Sequence, residues 1–297
     1  MAGKTREIKG RIKAVGNIQR ITKTMQMIAT ARFQAMQKRA TSAQAYTRQI
    51  AQIVRELAAG LAAQGQVQHP LLAWPEPPAG RRLLLVITSN RGLAGAYNAN
   101  VLRTAMEFIR EHGGTANVQV EAVGKKAVNY FRFNRVEIST FHSQFGEKPA
   151  YAQVEELARR YMDEFTAGRY DSVHVASMAF HSMSKQTPQV MQLLPLRNPA
   201  QEGHAAADAQ ATPLYEFTPD AQQLLNELLP ITVKTALFQC FNEAVVSEQL
   251  ARMVAMKSAT DAAGKMRKNL QRRFNRARQA AITTELTEII GGAAALE

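Results

Sequence analysis

The chain has 297 residues, a net charge of +13 and one cysteine. That length holds one sizeable core or two modest ones, and a lone cysteine excludes an intramolecular disulfide and points to a reducing compartment. No run approaches the roughly 18 apolar residues that a membrane span needs, and Met1-Ala2-Gly3-Lys4 opens without an apolar signal core, so a bacterial, cytoplasmic-side, non-integral protein is expected.

All eleven prolines lie between Pro70 and Pro230. Proline removes a backbone donor and clashes with the preceding helical turn, so the proline-free ends can each run as one helix. Charge divides at the same places. Residues 1–69 carry 12 Lys+Arg against two acids, residues 231–297 carry 10 against six, and the middle carries 15 against 16. Two long basic helices from opposite termini, with a near-neutral globular insert between them, is the expected layout. The segments are a helix over 1–63, a linker over 64–81, a mostly parallel, Rossmann-like α/β domain over 82–218 and a helix over 219–297.

In the first segment, Ile8, Ile12, Val15, Ile18, Ile21, Met25 and Ile28 recur every three or four positions, and Ala43, Tyr46, Ile50, Ile53, Leu57 and Leu61 resume the pattern. This predicts a narrow seam suited to pairing with another helix. Between Ala29 and Ala45 it thins to alanines, Phe33 and Met36. A helix from Lys4 to Leu61 is about 85 Å long at 1.5 Å per residue.

Residues 64–80 are rich in turn formers and read as a linker. Leu83 to Thr88 is then a continuous apolar run ending in threonine, the pattern of a strand buried on both faces. Further strands are expected at Val118–Val123, Val136–Thr140, Val173–Met178, Val190–Leu194 and Leu214–Phe217. Helices are expected near Asn98–Glu111, Lys125–Phe133 and Val154–Phe165. The alternation predicts a parallel or mostly parallel α/β sheet.

The turn Ser89-Asn90-Arg91-Gly92-Leu93-Ala94-Gly95-Ala96-Tyr97-Asn98 and the later Gly124-Lys125-Lys126 resemble anion-binding loops before helices. Neither has the Gly-Lys-Ser/Thr ending of a phosphate loop or the glycine spacing of a dinucleotide fingerprint, so tight strand-to-helix packing is the expectation. The six histidines are scattered, without metal-ligand spacing, and no G-x-S-x-G elbow places a serine for attack. Cys240 beside Phe238 and Phe241 reads as a buried, unreactive thiol. No catalytic, cofactor-binding or metal-binding residue is assigned, and no cofactor is expected.

After Pro230, Leu237, Phe241, Ala244, Ala251 and Val254, then Met266, Leu270, Phe274, Ala277, Ala281, Leu286 and Ile290, restore the helical pattern. Small residues from Ala255 to Ala263 allow close backbone approach. Lys265, Arg267, Lys268, Arg272, Arg273, Arg276 and Arg278 form a dense charged face that reads as solvated. Antiparallel pairing of the two terminal helices is the simplest way to bury both seams.

The run from Ser247 to Ala262 (SEQLARMVAMKSATDA) and the run from Asn275 to Ala293 (NRARQAAITTELTEIIGGA) closely resemble the signature of the gamma subunits of F-type ATP synthases. Ile21 to Ala29 (ITKTMQMIA) resembles the same family's N-terminal motif. The resemblance covers essentially the whole chain. It departs from the family's usual S-D-R-G-L-x-G-x-x-N turn at Asn90 and Ala96.

That resemblance implies a rotor: a helical shaft inside a ring of three alpha and three beta subunits, with the α/β domain against epsilon and the membrane c-ring. Catalysis would stay on beta, and this chain would be non-catalytic. It implies that Arg278, Gln279 and Thr283 contact the beta catch loop, and that Lys23 and Met25 lie near beta's acidic lever loop. Ile282, Leu286, Ile289 and Ile290 would seat in an upper bearing, and Tyr215 and Glu216 would lie where the foot approaches the c-ring. Read without the resemblance, the residues leave two alternatives: a basic coiled-coil nucleic-acid-binding protein, whose affinity would fall steeply with salt, or a nucleotide-binding enzyme built on the middle domain.

Overall fold

The computed structural model describes residues 2–62, 69–74, 76, 78, 80–196 and 221–294. The first helix, α1, runs Ala2–Ala62 and the last, α5, runs Ala221–Ala294. Between them come β1 (Arg82–Ile87), α2 (Tyr97–Glu111), β2 (Val118–Val123), α3 (Lys125–Phe133), β3 (Thr140–His142), α4 (Tyr151–Thr166), β4 (Ser172–Phe180) and β5 (Gln186–Leu194). The chain divides into two compact units, one of Met1–Ala31 with Arg252–Glu297 and one of Arg32–Ala251.

In the larger unit the strands lie in the order β3-β2-β1-β4-β5. β1 pairs in parallel with β2 and β4, β2 pairs in parallel with β3, and β5 returns antiparallel to β4. The expected mostly parallel sheet is present. Leu83 and Leu85 face one core while Leu84 and Val86 face the other, which is why the run is unbroken in its apolarity. α2 and α3 cover the second face through Val101, Ala105, Phe108, Ala127 and Phe131. The first face takes α4 through Val154, Leu157 and Tyr161, the early part of α5, and Ile50 and Val54 of α1.

One expectation for this unit changes, at β3. α5 begins at Ala221, close to the expected 219, and carries Pro230 inside it. An interior proline costs about 3 kcal/mol. Leu225, Leu229, Val233 and Leu237, one every four residues, are all fully buried, each worth about 1.5–3 kcal/mol, so the stripe outweighs the break. The strand expected over Val136–Thr140 is instead β3, at Thr140–His142. Val136 and the half-buried Ile138 still point into the second core. Pairing with β2 begins only at Ser139, whose amide donates to the Val120 carbonyl at 2.9 Å, because the chain leaves α3 through Arg135 in the left-handed region (φ 56°). The Leu214–Phe217 expectation lies outside the described residues.

The smaller unit pairs the start of α1 with the end of α5. Thr260 Oγ1 donates to Thr22 Oγ1 at 2.8 Å, and Gly264 lies opposite Gln19, so the two segments run antiparallel. A Cβ at position 264 would sit 3.1 Å from Gln19 Nε2, so a larger residue there requires the glutamine side chain to shift. Val15, Ala29, Met256 and Ala263 are buried, whereas Ile18, Ile21, Ile28, Val254, Met266, Leu286 and Ile290 are exposed. The inner face of α1 follows Val15, Gln19, Thr22, Gln26 and Ala29 at 3.6-residue spacing. Of the predicted seam, Val15 is buried and Ile8, Ile12 and Met25 are half-buried, whereas Ile18, Ile21 and Ile28 turn outward. On α5, Leu270, Phe274, Ala277 and Ala281 do lie on the half-buried side as expected.

Candidate functional site

The two glycine-containing turns at the ends of β1 and β2 bind each other. Thr88 Oγ1 donates to the Val123 carbonyl (2.9 Å) and accepts from the Ala127 amide (3.0 Å). The Ser89 carbonyl accepts from the Lys126 amide (3.2 Å), and Asn90 Oδ1 accepts from the Lys125 amide (3.2 Å). Three amides at the start of α3 are therefore occupied by the neighbouring turn, where an incoming phosphate would need them. Asn98 Oδ1 accepts the Ser89 amide at 3.0 Å and fixes the turn from the other side. Gly124 has φ 91°, and a Cβ there would fall 2.2 Å from the Thr88 carbonyl oxygen. Tight strand-to-helix packing is what the glycine serves. Asn90 supplies the acceptor that an aspartate would, and Ala96 has φ −86°, which needs no glycine.

Beside these turns a cleft of about 190 Å³ is lined by Thr88, Asn90, Arg91, Phe145, Glu147 and Glu248. Its rim is tied down. Glu147 pairs with Arg32 and with Arg91 (3.3 Å), and Arg39 donates to the Pro149 carbonyl at 2.8 Å.

The strongest electrostatic cluster is structural. Glu121 on β2, 2% exposed, accepts bonds from Arg160 (2.5 Å) and Tyr161 (2.7 Å) on α4 and lies 2.7 Å from His142 Nε2 on β3. Burial opposes its charge, but the bonds from His142 and Tyr161 and the Arg160 charge hold its carboxyl below the usual range. Nothing there combines a nucleophile, a base and an open site. His174 packs with Phe108 and His112 and is depressed to about 4, chiefly by burial and further by its neighbours His112 and Arg82. Cys240 is buried and pushed up to about 12, chiefly by burial, as its apolar neighbours predicted. Among the described residues no group of His, Cys, Asp and Glu could hold a metal ion, and no helix is long and apolar enough to cross a membrane.

The sequence-predicted contact residues collect in the smaller unit. Lys23 is exposed on α1 and Met25 half-buried beside it. Arg278, Gln279 and Thr283 are exposed on α5, with Thr283 Oγ1 donating back to the Gln279 carbonyl at 3.0 Å. Ile282, Leu286, Ile289 and Ile290 are all exposed, the last two at 69% and 66%. Tyr215 and Glu216 lie outside the described residues. The structure adds a groove of about 750 Å³ between the two segments, lined by Lys13, Arg20, Lys23 and Arg267 around Gly16 and Thr260. Lys13, Arg20 and Arg267 were not singled out as contacts. Their convergence depends on the register of the pair, which residue spacing along either helix does not reveal.

Exposed apolar and basic surface, together with a strand-end site plugged by its own turns, defines a partner-binding subunit. The family model described as ATP synthase matches residues 4–296. An ATP synthase gamma chain of Rhodopirellula baltica is 46% identical over 296 residues, covering 98% of both chains. One of Leptospira biflexa is 38% identical over 293 residues, again 98% of both. Among solved structures, a chain of the Euglena gracilis mitochondrial ATP synthase, from an assembly of OSCP, F1 and c-ring, aligns over 100% of this chain and 95% of its own length (TM-score 0.65, 18% identity). A chain from the central stalk and c-ring of the Tetrahymena thermophila enzyme aligns over 80% and 99% (TM-score 0.59, 18% identity). The chain belongs to the ATP synthase gamma family.

Proposed function

We propose that this chain is the non-catalytic central-stalk rotor of an F-type ATP synthase, coupling proton flow through the membrane sector to ATP synthesis. Its smaller unit turns within a ring of three alpha and three beta subunits at the cytoplasmic face of a bacterial membrane. The α/β unit meets epsilon and the c-ring, with Tyr215 and Glu216 at the foot. Full-length similarity to gamma chains supports this reading. The observation that carries the contact assignment is that Ile282, Leu286, Ile289 and Ile290 stand exposed on one short stretch of α5. Contiguous exposed apolar surface marks an interaction site.

The chemistry fits rotation. Lys23, with Lys13, Arg20 and Arg267, attracts acidic loops, and exposed pairs of this kind are each worth about 0–1 kcal/mol, weak enough to be exchanged at every step. Arg278 and Gln279 offer donors at a fixed place on α5, and arginine can bind a carboxylate through two parallel bonds. A bond formed at one rotary angle biases that state over the others. The test is reconstitution. Mixed with alpha and beta subunits, the chain should purify in a fixed ratio, and steady ATPase activity should require it. An alpha–beta assembly equally active without the chain would overturn the assignment.

A further inference from the structure

Two successive stretches of α5 are packed in different ways, and the second is the more deeply buried. From 225 to 237 the buried side chains are Leu225, Leu229, Val233 and Leu237, and the one buried hydroxyl, Thr235, is satisfied by the Ile231 carbonyl at 2.9 Å. From 239 to 249 the buried set joins Cys240, Phe241, Ala244 and Val246 to the polar Gln239, Asn242, Ser247 and Gln249. Gln239 Oε1, Asn242 Nδ2, Ser247 Oγ and Gln249 Oε1 have no hydrogen-bond partner, four of the six such buried atoms among the described residues. Gln239, Asn242 and Gln249 share one face with the fully buried Val246, at spacings of three, seven and ten residues.

Buried polar groups are normally hydrogen-bonded, and an unmet one carries its full desolvation cost. Here the cost is concentrated within eleven residues. Solvent does not reach these atoms, so no side chain of a partner can satisfy them while the packing stays closed. Local opening can, because it returns all four to water. Opening either stretch exposes apolar side chains, Phe241 and Val246 in one and the leucines in the other, but only 239–249 returns unmet polar groups to water.

We propose that residues 239–249 are a yielding segment built into α5, where water enters the packed interface before the neighbouring helix opens. This stands apart from the rotor assignment, since it rests on the unmet groups alone.

Hydrogen exchange of the full-length chain, followed by mass spectrometry and corrected for intrinsic rates, tests it. Amides of 239–249 should be protected at least tenfold less than those of 225–237; equal or greater protection would overturn the proposal. The double variant Asn242→Leu, Gln249→Leu keeps side-chain size and removes two unmet groups. It should raise protection of 239–249 at least threefold while leaving 225–237 unchanged. Protection that stays level or falls in a variant with the native circular-dichroism spectrum would also overturn it.

Discussion

The unit of Arg32–Ala251 and the unit of Met1–Ala31 with Arg252–Glu297 spend their apolar residues differently. The first closes on itself. A five-stranded sheet with helices on both faces buries Leu83, Leu84, Leu85 and Val86 completely, and its charged groups face inward only where they find partners, as Glu121 does. In the second, polar Gln19 and Thr22 lie on the inner face while Ile18, Ile21, Ile28, Ile289 and Ile290 face out. Exposed isoleucines beside inward-facing glutamines set this unit apart from the closed core. The contrast teaches that apolar periodicity alone does not tell which face of a helix is buried within the chain.

The contrast can be broken first in the closed unit, where effects are largest. Leu229→Ala should cost about 2–5 kcal/mol by opening a cavity in a core that cannot collapse onto it. Urea unfolding would show this as a lower midpoint at unchanged slope. Glu121→Gln should cost about 3 kcal/mol, the low end for a broken buried pair, because the Arg160 side chain is 37% exposed. It should also change the acid limb of stability. Glu121 titrates below its ordinary value in the folded state, so its contribution is complete above the unfolded value of 4.5 and lost as pH falls through the lower folded one. The variant should lack that loss.

His174 gives a separate window. Its folded pKa of about 4 lies below the model-peptide value of 6.5, so protonation favours the unfolded chain and stability declines as pH drops from about 6.5 toward 4. By pH 5 the loss should reach roughly 2 kcal/mol, at 1.36 kcal/mol per pK unit. His174→Gln should flatten the melting temperature between pH 6.5 and 5 and leave the lower-pH limb of Glu121 in place.

The smallest effects on stability belong to the open unit, where changes in function should be large. Ile289→Ala with Ile290→Ala, or Arg278→Ala with Gln279→Ala, should move the unfolding free energy by no more than about 0.5 kcal/mol each, as exposed positions do. In reconstituted complexes the first pair should weaken retention of the chain in the ring, and the second should slow multisite ATP turnover. Core-sized destabilisation from either pair would erase the distinction between the units.

How much of this could be read beforehand follows the same division. β2 and α3 match their expected bounds, and β1 differs at its ends by one residue, because both-face burial and glycine punctuation are local signals. α1 and α5 were legible from charge and from the missing prolines. The inner face of α1 was not: Ile18 and Gln19 are adjacent, and only the partner segment decides which one faces in. The Glu121 cluster was invisible, since it draws on β2, β3 and α4. The predicted contact residues came from the family resemblance; their exposure and the grouping of Lys23 with Lys13, Arg20 and Arg267 needed the fold.

The smaller unit joins the first 31 residues to the last 46, and that connection has a cost in time. During synthesis at about 5–20 residues per second, the first segment leaves the ribosome roughly 10–50 s before its mate exists. The larger unit must wait too, since Leu225 to Ala244 belong to its core. For that interval the nascent chain displays Ile8, Ile12, Val15 and the outward isoleucines together on one basic stretch. The nascent chain is therefore at its most aggregation-prone while the end of α5 is still unmade, and a truncation that removes only the last turns of α5 leaves the larger core intact while taking away the exposed Ile282, Leu286, Ile289 and Ile290.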